Sequence, residues 1–284
     1  MMIVRTATSA DAAVCGRICY EAFKAIAEQH NFPPDFPSTE DAVHLLAMLI
    51  EHAGFYGVVA ERDGQIIGSN ILDERNPISG VGPITVDPRA QNAGVGRRLM
   101  AAVIERSRQR GFAGIRLVQS GYHTRSLSLY LKLGFNVREH LSCMQGNAIN
   151  AAIPGHTVRA ATLADIDACN DLCVRVHGHH RGGELRDAVE QGNATVVERM
   201  GRITGYATMI AFFAHAVAET NDDLKALIAA ARSFGGPGFL VPSRNSELMR
   251  WCLGQGLRVI QPMTLMTMGL YNEPAGAYLP SVTY

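Results

Sequence analysis

The feature that most constrains this chain is that it repeats itself. Val4-Arg5-Thr6-Ala7-Thr8 followed by Asp11 is echoed by Val158-Arg159-Ala160-Ala161-Thr162 followed by Asp165, and each copy leads into a helical pattern with two cysteines four apart, Cys15 with Cys19 and Cys169 with Cys173. Glu61 to Gly68 is echoed by Glu198 to Gly205, an apolar strand that turns at a glycine and returns, so a β-hairpin is written twice. Each half closes on a helical stretch ended by a glycine, Tyr130 to Gly134-Phe135 and Cys252 to Gly256-Leu257. A duplication of this size calls for two copies of one folding unit. Gly146 to Gly155 carries no periodicity and reads as the linker. With the boundary at Asn150, the expected units are residues 1–149 and 150–284, in keeping with 284 residues at about 150 per domain.

Composition narrows the class of function. The chain is 47% hydrophobic and 18% charged, enough to bury real cores and unlike a disordered chain. Lys and Arg balance Asp and Glu at 26 each, so no positive field invites a phosphate backbone and nucleic acid is not expected as a partner. The start does not read as a secretory signal. The most apolar run, Ile203 to Ala218, is interrupted by Thr204, Gly205, Thr208 and His215, short of the roughly 18–20 residues of a membrane helix. A cytoplasmic protein without membrane contact is the expectation. The cysteine pairs read as buried free thiols. The run His177-Gly178-His179-His180 has no Cys or carboxylate at zinc-finger spacing, so plain loop and no metal are expected.

The first half reads as strand, helix from Asp11 to Glu28, loop, helix from Thr39 to His52, hairpin, strand from Val81 to Val86, helix, strand, helix, strand, a mixed α/β pattern. The loop His30 to Pro37 holds three prolines and two aromatics, and either walls a pocket or is a connector pinned by its Phe residues. The most informative stretch runs Val86-Asp87-Pro88-Arg89-Ala90-Gln91-Asn92-Ala93-Gly94-Val95-Gly96-Arg97-Arg98-Leu99. Here a strand ends and a glycine loop opens a helix whose first amides lack intrahelical acceptors and suit a pyrophosphate. Gly94 and Gly96 leave room, and Arg97 and Arg98 add positive charge. Each hydrogen bond to a charged oxygen contributes about 1.5–3 kcal/mol. Leu99 stands where a dinucleotide fold needs its third glycine, and no Gly-Lys-Ser/Thr is present, so neither NAD nor ATP is supported.

Val-Asp-Pro, then Gln91-x-x-Gly94-x-Gly96 and Leu99, resembles the acetyl-coenzyme A loop of the GNAT superfamily of N-acetyltransferases. About thirty residues later, His123-Thr124-Arg125-Ser126-Leu127-Ser128-Leu129-Tyr130 through Gly134-Phe135 is similar to that family's Asn-x-x-Ala/Ser-x-x-Leu-Tyr-x-x-x-Gly-Phe helix, with His123 in place of the usual Asn. The resemblance covers roughly residues 2–145 and implies an α/β fold with a mixed sheet, two GNAT-like units in tandem, and acetyl-CoA as acyl donor. It implies that Ile84, Thr85 and Val86 line the pantetheine arm and that Gln91, Asn92, Ala93, Gly94, Val95, Gly96 and Arg97 hold the pyrophosphate, with His123 and Ser126 beside the coenzyme. It further implies that the Val86 strand diverges from Gly114 to Gln119 to leave a slot, that the Val86 N–H polarises the thioester carbonyl, and that Tyr130 is the general acid.

The base is not named by the sequence. Glu28, His30, Asp35, Glu74 and His123 are candidates by placement, with Glu74 and His30 the first choices. Aligned on the closing glycine, the second half has Cys252 where Tyr130 stands and Asn245 where His123 stands, and acidic residues, Glu219 to Asp223, replace the glycine loop. It is expected to have lost coenzyme binding and to complete the acceptor pocket or buttress the fold. The tail Tyr271 to Tyr284 either latches the halves together or is a loose end. The function expected is acetyl transfer to an amine of a small molecule or peptide by direct attack in a ternary complex. The alternatives are a non-catalytic acetyl-CoA sensor, and a longer acyl donor or a hydroxyl acceptor.

Overall fold

A computed structural model describes residues 1–283; Tyr284, part of the expected tail latch, lies outside the described residues. The first half contains β1 (Met2–Thr6), α1 (Ala12–Gln29), α2 (Thr39–Glu51), β2 (Phe55–Arg62), β3 (Gln65–Asp73), β4 (Ile78–Val81), β5 (Thr85–Val86), α3 (Val95–Gln109), β6 (Gly114–Ser120), α4 (Thr124–Lys132) and β7 (Asn136–Gln145). The second contains β8 (Thr157–Ala160), α5 (Ile166–His177), α6 (Gly182–Glu190), β9 (Thr195–Arg199), β10 (Arg202–Ala207), β11 (Ala216–Ala218), α7 (Asn221–Ala230), β12 (Phe239–Pro242), α8 (Ser246–Gly254), β13 (Arg258–Gly269) and β14 (Ala277–Leu279).

The duplication extends to side-chain wiring. Arg5 donates to Asp11 at 2.8 Å and to Glu61 at 3.0 Å, while Asp11 accepts from the Thr8 N–H and hydroxyl. In the second half Arg159 donates to Asp165 at 2.8 Å and to Glu198 at 2.8 Å, and Asp165 accepts from Thr162 in the same way. One guanidinium thus fastens the first strand, the start of the first long helix and the hairpin in each half. All six cysteines are free and buried, the two pairs within their helices' apolar faces.

The main sheet runs β1-β2-β3-β4-β6-β13-β7-β12, with β5 attached to β3. Side chains alternate across it. Val59 and Ile71 pack under α1 and α2 with Cys15 and Leu46, whereas Val58, Ala60 and Leu72 pack under α3 with Leu99 and Val103. The expected strand from Val81 to Val86 is two strands. β4 pairs parallel with β6 only as far as Val81 opposite Leu117, after which the chain leaves β6 but stays along β3, where β5 pairs antiparallel with Gly68 and Ser69. Gly68 permits that pairing, since a Cβ there would lie 2.6 Å from the Thr85 carbonyl oxygen. Beyond Val81, β4–β5 and β6 therefore part and a slot opens.

The halves exchange strands. β13, from the second half, lies between β6 and β7 of the first, with Met263 to Gly269 opposite Ser120 to Gly114 on one side and Arg258 to Thr267 opposite Gln145 to Asn136 on the other. Reciprocally, β7 of the first half lies between β13 and β12 of the second. A second sheet, β14-β11-β10-β9-β8, carries the rest of the second half. β14 pairs antiparallel with β11, Ala216 opposite Leu279, and Ala277 and Leu279 join the core that holds Phe239 and Val241 of β12. The tail thus places a strand between β11 and β12, the gap that in the first half is the open slot. Of the run His177 to His180, expected as plain loop, residues 178–180 are loop and only His177 belongs to a helix. His177 ends α5, and His177 and His179 are buried with ring centroids 5.8 Å apart, their pKa values pushed down chiefly by that burial. Among the described residues no helix is long and apolar enough to cross a membrane.

Candidate active site

A cleft of about 620 Å³ opens at the N-terminus of α3, lined by Ile84, Thr85, Val86, Gln91, Asn92, Gly94, Val95, Gly96 and Arg97 from one side. His123, Arg125, Ser126 and Tyr130 line it from α4 and its approach. Gly94 caps α3 at φ +76°, a left-handed conformation that a side chain makes costly, and Asn92 also has a positive φ. The first amide of this turn to find a backbone acceptor is that of Arg98, at 3.2 Å from the Gly94 carbonyl. The amides of Val95, Gly96 and Arg97 precede it and are left for a ligand. The Asp87 N–H bonds to the Ile67 carbonyl at 3.0 Å, so antiparallel alternation turns the Val86 N–H away from β3. Ala93, expected among the phosphate-loop residues, does not line the cleft. Arg98 turns away from it and donates to the Met2 carbonyl at 2.9 Å, while Arg125, which sequence reasoning misses, lines it and donates to Asn92.

A second cavity, of about 120 Å³, adjoins the first and shares Ile84, His123, Ser126 and Tyr130 with it. Its far wall is Asp35 and Phe36, so the proline-rich loop both walls a pocket and is pinned by its aromatics: Phe36 is buried in the α1–α2 core and Phe32 stacks on Tyr122 at 4.2 Å. Asp35 accepts from Gln261 of β13 at 3.0 Å, and burial holds its pKa above the ordinary carboxylate value. The Tyr130 hydroxyl is buried and its pKa is pushed well up by desolvation, which keeps it protonated. His123 is pushed down to about 4 by burial, then by the charges of Arg125 and His30, and stays neutral at pH 7. Ser126 donates to the Gln119 side-chain oxygen at 2.6 Å, leaving the Gln119 amide nitrogen, like His123 Nε2, buried without a protein partner beside the cavity. Such orphaned groups mark a site that expects a polar ligand.

The structure does not bring every candidate together. Glu74 lines neither cavity; its carboxylate is clamped by Arg106 at 2.7 and 3.0 Å on the outside of α3. Glu28 is exposed beside Lys24. His30 lines the coenzyme cleft, its Nδ1 2.9 Å from the Ile26 carbonyl, and does not line the cavity that holds Asp35. Of the carboxylates named, Asp35 alone lines either cavity.

Residues 20–135 match the model of the acetyltransferase (GNAT) family. This segment of the chain is a GNAT acetyltransferase domain. A mycothiol acetyltransferase of Nocardia farcinica is 38% identical over 63 residues, 22% of this chain, and the match spans about a fifth of that relative's length. A provisionally assigned acetyltransferase from Pyrococcus horikoshii superposes with a TM-score of 0.74 at 17% identity, over 97% of this chain and 94% of the other. A tandem GNAT protein from the clavulanic acid biosynthesis pathway superposes with a TM-score of 0.57 at 13% identity, over 99% and 100% of the two chains. At these identities the structural likeness is one of fold, and it is the fold of two GNAT units in tandem.

The second half, of the same fold, presents a different surface at the same place. α7 begins with Thr220 and Asp223 in a reciprocal capping box, so the amides of these two residues are already engaged by its own side chains. Glu219 is held by Arg202 and Arg175, and Asp223 by Arg199 and Thr204. Cys252 is buried in the core, and the Asn245 side chain caps α8.

Proposed function

We propose that the first GNAT unit transfers an acetyl group from acetyl-CoA to the amine of a small acceptor by direct attack. The observation that carries this reading is the junction of two cavities at Tyr130, one lined by free helix-start amides and the other walled by a half-buried carboxylate, Asp35. The amides of Val95 to Arg97, with Arg97 and Arg125, bind the pyrophosphate. The pantetheine arm follows Ile84 to Val86 through the slot, with Gln119 and His123 supplying polar partners, and the Val86 N–H faces the developing oxyanion. Asp35 accepts the proton of the acceptor ammonium. The amine nitrogen then bonds to the acyl carbon, the C–S bond breaks, and the Tyr130 O–H protonates the departing thiolate.

The second unit supports the first rather than repeating its chemistry. Its slot holds β14 and its helix start is self-capped. Calorimetry with coenzyme A is expected to show one site per chain, and incubation of acetyl-CoA with an amine panel to release free thiol. Two sites per chain would reject the supporting role, and absence of binding would reject acetyl transfer.

A further inference from the structure

The cavity beyond Tyr130 is closed by the other half of the molecule. Phe212 and Phe213, on the turn after β10, line it together with Val282 of the tail, and the Val282 N–H donates to the Phe212 carbonyl at 2.9 Å, binding tail and turn into one roof. Met263 of the exchanged strand β13 and Val118 of β6 line it as well. The walls are thus largely apolar. Asp35 is the one carboxylate among the described residues that line this cavity, and no Lys or Arg lines it. An acceptor bearing its own carboxylate would find no cation there, and one with a second ammonium would find no second anion. Size adds a further constraint: about 120 Å³ is somewhat less than the roughly 150 Å³ that encloses benzene.

Resting on the acetyl-transfer reading above, we propose that the acceptor is a compact primary amine with an apolar body no larger than a benzene ring, and that Phe212, Phe213 and Val282 of the second half set this preference. The ammonium pairs with Asp35, and the body lies under the roof. Neither amino acids, polyamines nor peptide N-termini fit that description.

The test uses the full chain, acetyl-CoA and thiol release with ethylamine through pentylamine, benzylamine, leucine, putrescine and a peptide amine. kcat/KM is expected to rise about four-fold per methylene along the alkyl series, the equivalent of about 0.8 kcal/mol. Leucine, putrescine and the peptide should fall about ten-fold or more below pentylamine, because each leaves a charge or polar group unpaired. Phe212→Ala is expected to flatten the alkyl series while the affinity for coenzyme A by calorimetry stays at the native value. Phe212 is buried, so Phe213→Ala, whose ring is 36% exposed, provides a second variant with the same expected direction. A flat series in the native protein, or a preference for the amino acid, polyamine or peptide, overturns the proposal and leaves acetyl transfer standing. Coenzyme binding without acetylation of any alkylamine also overturns it, whereas failure to bind coenzyme A removes the acetyl-transfer reading and this inference with it.

Discussion

Replacing Asp35 with asparagine separates charge from shape. The amide side chain retains an oxygen to accept the 3.0 Å bond from Gln261, so the loop from His30 to Pro37 keeps its anchor and Phe36 its place in the core. What disappears is the proton acceptor at the cavity wall. A positioned general base contributes about 10²–10⁴ in rate, equivalent to about 3–5 kcal/mol, and kcat/KM for an alkylamine is expected to fall by that factor. The native pH profile should show a limb set by a carboxylate above its usual range, because burial raises Asp35, and Asp35→Asn should lose that limb. Stability moves the other way. A folded-state pKa above the unfolded value of about 3.9 means the contribution is present at low pH and lost as pH rises through the folded value, so ionised Asp35 destabilises the native protein at neutral pH. Asp35→Asn should therefore melt higher than the native protein at pH 7, with the gap closing toward pH 4. Steady-state thiol release across pH and thermal melts on the same samples measure both. A kcat/KM within about five-fold of native with the acid limb intact, below the range expected of a base, would refute the assignment.

Other expectations follow from the same geometry. Tyr130→Phe should lower kcat by about 10²–10⁴ while coenzyme A affinity, measured by calorimetry, is retained, since the ring keeps its packing against Phe135 and only the acid is lost. A Cβ at Gly94 meets no heavy atom within 4 Å, but Gly94→Val forces a branched residue to φ +76°, a cost of about 1–2 kcal/mol; coenzyme A affinity should weaken by about ten-fold with the fold intact by circular dichroism. Asp11→Ala and Asp165→Ala should destabilise to similar extents in urea at pH 7, because each removes the acid at the centre of an equivalent network. The Asp11 pKa is depressed from 3.8 to about 2 by Arg5, so its contribution is present above about 4 and lost as pH falls to about 2, and the difference between native and Asp11→Ala proteins should vanish there.

The duplication, the hairpins and the glycine turn that opens α3 are legible because each is a local pattern: a glycine at a turn, a helix start, an arginine six residues before its aspartate. Strand exchange is not, because β13 has the same alternation whether it pairs within its own half or between β6 and β7, and period alone does not choose a partner. The choice of base is hidden for a related reason. Glu74 and Asp35 look alike in sequence, and only folding shows that Arg106, 32 residues on, claims Glu74, while Gln261, 226 residues on, holds Asp35 at the cavity. The burial of His177 is hidden in the sequence because part of it comes from the distant tail, where Tyr278 packs edge-on to His177 at 5.1 Å.

The reciprocal placement of β7 and β13 ties the fate of each half to the other. Separate expression of residues 1–149 would leave β6 and β7 with an empty lane where a twelve-residue ribbon belongs, and β12 would lose its ladder neighbour β7 in the isolated remainder. The second half is consequently no passenger: deleting it would unzip the sheet that carries Gln119 and would remove Gln261 from behind Asp35.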